Sequence, residues 1–166
     1  MHTTKFWFAS VVSICMCSFV QAQWVGGSDV VVDPGVSTTI STVQPTIKTL
    51  KVNGALTFAS GGAVTVTNWI WVGDGTNGSM TIQNGATVTK SGTNGVYIGY
   101  QGGNGVLTVE SGGKLDIPSH TLYISGNKDA DSRITTTRGA MQVSGTVIAN
   151  MLELTPFYPQ YTSQVD

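Results

Sequence analysis

A chain of 166 residues, 40% hydrophobic and only 10% charged, is one domain's worth of material with a modest core. Its formal net charge of -1 supplies no basic face for phosphates, which argues against nucleic acid and against an anionic membrane surface. Abundant Val, Ile, Leu and Thr argue against disorder, and with 21 Gly they point to β-strands broken by many turns.

Residues 1–22 read as a secretory signal peptide. Lys5 is the charged start, Phe6 to Val20 the apolar core, and Val20-Gln21-Ala22 the small-residue site, with cleavage expected before Gln23. The apolar run is shorter than the roughly 20 residues a membrane span needs. The mature chain is therefore expected outside the cell or at its surface, with no span of its own. Cys15 and Cys17 leave with the leader, so no disulfide or thiolate site is expected. His120 is the one remaining histidine, which removes every paired-histidine metal motif.

The mature chain repeats itself. Leu56-Thr-Phe-Ala-Ser-Gly61, Met80-Thr-Ile-Gln-Asn-Gly85, Leu107-Thr-Val-Glu-Ser-Gly112 and Ile134-Thr-Thr-Thr-Arg-Gly139 align, with starts 24, 27 and 27 residues apart. Val64, Val88 and Leu115 return three residues past the Gly; Met141 and Val143 stand near that place in the fourth copy. Ile70-Trp71-Val72, Val96-Tyr97-Ile98, Leu122-Tyr123-Ile124 and Val147-Ile148 close the units. Each unit then holds three short strands with period-two alternation and Gly-rich corners. A unit this short buries its apolar face only by stacking on the next.

This pattern predicts an all-β fold, a parallel β-helix or solenoid of about four coils with three short strands each. It fills residues 23–154, and 155–166 form a C-terminal cap or truncated tail. Leu56, Met80, Leu107 and Ile134 are expected to stack in the core, with Phe58, Ile82, Val109 and Thr136 beside them. Thr57, Thr81, Thr108 and Thr135 form an outward ladder. An antiparallel sandwich is the rival.

Two families share these motifs. Gly54-Ala-Leu-Thr-Phe-Ala-Ser-Gly-Gly-Ala-Val-Thr-Val and Ile98-Gly-Tyr-Gln-Gly-Gly-Asn-Gly-Val-Leu-Thr-Val resemble the Gly-rich repeats of bacterial autotransporter passengers and surface adhesins, over about residues 54–150. That resemblance implies a secreted β-helical stalk or surface protein. Trp24-Val-Gly-Gly-Ser-Asp-Val-Val-Val-Asp-Pro-Gly and Ile47-Lys-Thr-Leu-Lys-Val-Asn-Gly-Ala-Leu-Thr-Phe resemble the start of a G8 domain, over about residues 24–73. That resemblance implies an extracellular β domain. Neither family offers catalytic residues to carry over.

The search for chemistry finds little. Glycoside cleavage needs paired carboxylates about 5 to 9.5 Å apart. The alignment instead places Glu110 with Ala59, Gln83 and Thr137, and Asp116 with Thr65 and Thr89. No catalytic residue is assigned and an enzyme is not expected. Asn127, Asp129 and Asp131 put oxygen ligands at alternating positions, a candidate calcium site. Ser132 and Arg138 stand where a helix-loop-helix calcium motif needs Gly and Glu. No other cofactor is implied. His120 follows Pro118-Ser119 and reads as a turn residue. The Thr ladder raises ice binding, but Ala59, Gln83, Glu110 and Thr137 break its regularity.

Trp69, Trp71, Tyr97, Tyr100 and Tyr123 are the notable side chains. Trp71, Tyr97 and Tyr123 each precede the last apolar residue of a closing strand, so they are expected to point outward and stack. An exposed aromatic ladder is a candidate glycan-binding platform. The reading is a secreted, non-catalytic repeat protein with a structural or adhesive role. Its expected partners are extracellular glycans or other surface proteins. The alternative is a polysaccharide lyase- or hydrolase-like β-helix, or its noncatalytic remnant.

Overall fold

The computed structural model describes residues 24–126 and 138–154. The expected leader 1–22, the candidate calcium ligands Asn127, Asp129 and Asp131, and the tail 155–166 lie outside the described residues.

Strands follow one another at Gly-rich corners. They are β1 (Asp29–Val32), β2 (Ser37–Ile40), β3 (Thr49–Val52), β4 (Ala55–Phe58), β5 (Ala63–Val66), β6 (Ile70–Asp74) and β7 (Asn77–Ile82). Then come β8 (Thr87–Lys90), β9 (Val96–Tyr100), β10 (Asn104–Val109), β11 (Lys114–Gly126), β12 (Arg138–Val143) and β13 (Thr146–Leu154). Every strand pair among the described residues is parallel, which sets the antiparallel rival aside.

One sheet of five strands runs β2-β4-β7-β10-β12. A second sheet of eight runs β1-β3-β6-β9-β11-β8-β5, with β13 also on β11. The long β11 joins two branches. Its Lys114–Asp116 part pairs with β8, and its Leu122–Gly126 part pairs with β9. The register against β13 breaks between Ile117 and Thr121, where the strand changes partners and the sheet curls. The fold is thus all-β, built of parallel strands in curled sheets.

Register follows the hydrophobic pattern, because a one-residue slip would turn every apolar side chain outward. Leu56, Met80 and Leu107 stand in one column, and Phe58, Ile82 and Val109 in the next. All six are buried, each contributing about 1.5–3 kcal/mol of transfer free energy. Outward between them stand Thr39, Thr57, Thr81 and Thr108.

The last repeat departs from expectation. Ile134, Thr135 and Thr136 lie outside the described residues. Their expected places are held by Met141, Gln142 and Val143, which pair with Leu107, Thr108 and Val109. The physical reason is length, since 34 residues separate Leu107 from Met141 where earlier coils need 24 and 27. Val147, not Met141 or Val143, continues the column of Val64, Val88 and Leu115, so Val147-Ile148 is not the expected closing strand; Leu152-Glu153-Leu154 pairs with Leu122-Tyr123-Ile124 instead.

The two ends differ. Trp24 is buried and meets Phe58 edge-on, with ring centroids 6.0 Å apart, so one indole closes the N-terminal end. At the other end Met151, Leu152 and Leu154 are exposed.

One core position is charged. Lys90 turns inward beside Val88 and is 2% exposed. Its Nζ donates to the Ser91 carbonyl at 2.6 Å and to the Thr67 carbonyl at 3.5 Å. Burial holds its pKa below the ordinary 10.5. The folded chain therefore binds this proton less well than the unfolded chain does. Stability is lowest below the folded pKa and rises as pH climbs from there toward 10.5. Lys90→Met is expected to raise stability at pH 7 by about 1 kcal/mol, and to lose that share of the alkaline rise. Urea midpoints of both proteins at neutral and alkaline pH check this. A parent as stable as the variant at pH 7 would mean that the two carbonyls fully replace water around the ammonium.

Candidate functional site

The aromatic side chains sit where alternation puts them. In β6, Ile70 and Val72 are buried, which turns Trp71 outward. In β9, Val96 and Ile98 do the same for Tyr97, and in β11 Leu122 and Ile124 do so for Tyr123. Register then lines up Trp71, Tyr97 and Tyr123 as one column. The column continues upward into Lys51 and downward into Glu153.

The rings do not form a simple exposed ladder. Trp69, Trp71 and Tyr100 make one near-parallel stack, with centroids 5.4 and 6.4 Å apart and interplanar angles of 13° and 12°. Tyr97 and Tyr123 make a second, at 4.6 Å and 8°. The stacks interlock at about 50°, through Trp69–Tyr97 at 5.7 Å and Tyr97–Tyr100 at 5.0 Å. Tyr97 is consequently only 6% exposed, a correction to the expected open platform. Its neighbours Trp69, Trp71, Tyr100 and Tyr123 are half-buried and carry the accessible surface. Each ring contact contributes about 0.5–1.5 kcal/mol beyond area burial, so the cluster is stiff.

An ion pair borders the face. Lys51 Nζ lies 2.6 Å from the Asp74 carboxylate, and Asp74 stands opposite Tyr100 in the register. Asp74 is also held from behind, since its N–H donates to Asn53 Oδ1 at 3.1 Å.

Beside the rings is a polar cleft of about 240 Å³. A second in-register set of residues runs beside it, and its members Asn94 and His120 line it. Asn68, Asn94 and His120 each stand two residues ahead of a core residue, Ile70, Val96 and Leu122, which themselves pair. Asn94 Nδ2 donates to Asn68 Oδ1, and His120 Nε2 to the Gly92 carbonyl. The next position along reads Trp69, Gly95 and Thr121. Gly95 has no side chain there, and a Cβ would press on the Tyr97 and Tyr123 rings. The missing side chain opens the space between Trp69 and Thr121. Ser119 and Thr93 complete the rim. His120 is buried within β11, not in the expected turn.

The carboxylates are scattered. Glu110 follows Val109 as Gln83 follows Ile82, and Ser144 holds the place given above to Thr137. Asp116 stands with Thr89 and Thr65, beside Lys114 at 2.7 Å. Among the described residues no three His, Cys, Asp or Glu side chains gather as a metal site would need.

A family model, that of the G8 domain, matches residues 22–126. The chain belongs to the G8 domain family. The match takes in the expected stretch 24–73 and, up to residue 126, the repeats compared above with autotransporter passengers. No curated protein and no solved structure matches the chain. All five rings and the whole cleft fall inside the G8 domain. The cleft itself was missed in the sequence. Its signal was present as Asn68, Asn94 and His120 at a fixed offset from the closing strands, but Gly95 gains meaning only once the register is known.

Proposed function

We propose that this G8-family chain is a secreted, non-catalytic β-solenoid that presents an aromatic face to extracellular glycans. In-register parallel pairing of successive repeats supports the solenoid of about four coils. The leader at 1–22 supports export, to the extracellular space or the cell surface. A rigid, pre-packed face supports a structural or adhesive role.

The carrying observation is the ring cluster. Trp69, Trp71 and Tyr100 lie within 13° of parallel to their stacking neighbours, Trp71 and Tyr100 on the paired strands β6 and β9 and Trp69 just before β6. Such rings offer flat apolar surface for the C–H faces of sugars, and the adjoining cleft offers hydrogen-bonding groups for their hydroxyls. The cost of ordering flexible side chains is small, because the cluster is already packed.

Glycan-array binding by residues 23–166, with titration of the best ligand, tests this. Trp71→Ala and Tyr100→Ala are each expected to weaken binding at least about tenfold while the far-UV circular dichroism is unchanged. Binding that ignores both substitutions, or no binding by folded protein, overturns the glycan reading.

A further inference from the structure

The cleft says which sugars. We infer that it takes a single neutral sugar ring, in preference to a uronic acid or a sulfated ring; this rests on the glycan reading above.

Size is the first argument. The cleft holds about 240 Å³. Pockets for drug-sized ligands run to about 300–1,000 Å³, so this one fits one ring and not a chain. Its walls suit a ring with both C–H and O–H surface. Trp69, Tyr97 and Tyr123 supply aromatic edges, and Asn94, Ser119 and His120 supply polar atoms.

Charge is the second argument. Among the described residues no Lys, Arg, Asp or Glu lines the cleft. A carboxylate or sulfate entering it would lose hydration without gaining a cation. Among the described residues, Lys51, Lys90 and Lys48 do not line it. Lys51 is paired with Asp74. Lys90 directs its ammonium to the carbonyls of Ser91 and Thr67. Lys48 stands one coil away, its carbonyl accepting from the Asn68 N–H, and does not line the cleft. The aromatic column also runs into Glu153, whose negative charge opposes an anionic ligand.

The probes are glucose, galactose, mannose and N-acetylglucosamine against glucuronic and galacturonic acids, titrated into ¹⁵N-labelled protein. Neutral sugars are expected to shift the amides of Asn94, Gly95 and Ser119 to Thr121, with an affinity at least tenfold above that for the uronic acids. Ser119→Trp, at an exposed rim position, is expected to abolish those shifts. Thr93→Lys adds the missing cation and is expected to bring the preference below threefold. Uronic acids that bind as well as neutral sugars overturn the inference. Shifts confined to Trp71 and Tyr100, with the cleft amides silent, overturn it too and leave the glycan face standing. Silence toward every monosaccharide, with array binding intact, overturns the single-ring site alone. Silence together with a blank array overturns both.

Discussion

Phe58→Ala is expected to lower stability by about 3–5 kcal/mol, a large share of what a small domain possesses. Phe58 is the largest of the fully buried side chains. It stands between Ile40 and Ile82 in its column, and Trp24 packs edge-on against it. Its loss leaves a cavity beneath the indole that closes the N-terminal end. Parallel strands fixed on both sides have little freedom to collapse into that space. Phe58→Leu keeps most of the volume and is expected to cost less than about 1.5 kcal/mol. Urea unfolding with an unchanged m-value measures both. A loss below 1 kcal/mol for the alanine variant would mean that the first coils are already loose in the native state.

Gly73→Ala is the second large effect. Gly73 adopts φ +73°, and a Cβ there would run into the Asn104 carbonyl and the Gly105 N–H of the next coil. Left-handed backbone alone costs an alanine about 1–2 kcal/mol. Forcing the coils apart adds to this, for a total expected above about 3 kcal/mol. Gly27→Ala is the internal control. It shares the same backbone region at φ +74°, yet nothing lies within 4 Å of its Cβ. It is expected to cost about 1 kcal/mol. Equal shifts in melting temperature for the two variants would show that coil spacing, here set by backbone contact, tolerates a methyl group.

The central columns were legible in the sequence because neighbouring repeats share both motif and length. Leu56, Met80 and Leu107 pair as expected, as do Val64, Val88 and Leu115, and Trp71, Tyr97 and Tyr123. The ends were not legible. Thr38 pairs with Leu56 and Val31 with Lys51, so the columns begin in β1 and β2. Those coils are shorter and lack the apolar-Thr start with its later Gly, which hid them. The last coil is longer, and Ile134-Thr-Thr offered a false start in a chain rich in Thr. Burial of Tyr97 was hidden for another reason. Alternation says which way a ring points, but Trp69 and Tyr100 cover it from positions outside its column.

The difference between the two ends has a consequence for how the molecule is made. Ribosomal synthesis delivers the N-terminal end first. Trp24 and Phe58 belong to the earliest coils, so the closed end exists before the rest of the chain arrives. Each later coil then meets a finished sheet edge as its template, and the ladder of carbonyls and N–H groups is extended one rung at a time. Among the described residues the sheet edges nearest the C-terminus belong to β12 and β13, the last strands to arrive. A nascent chain paused anywhere along its length would present the same kind of edge, with its oldest end already sealed.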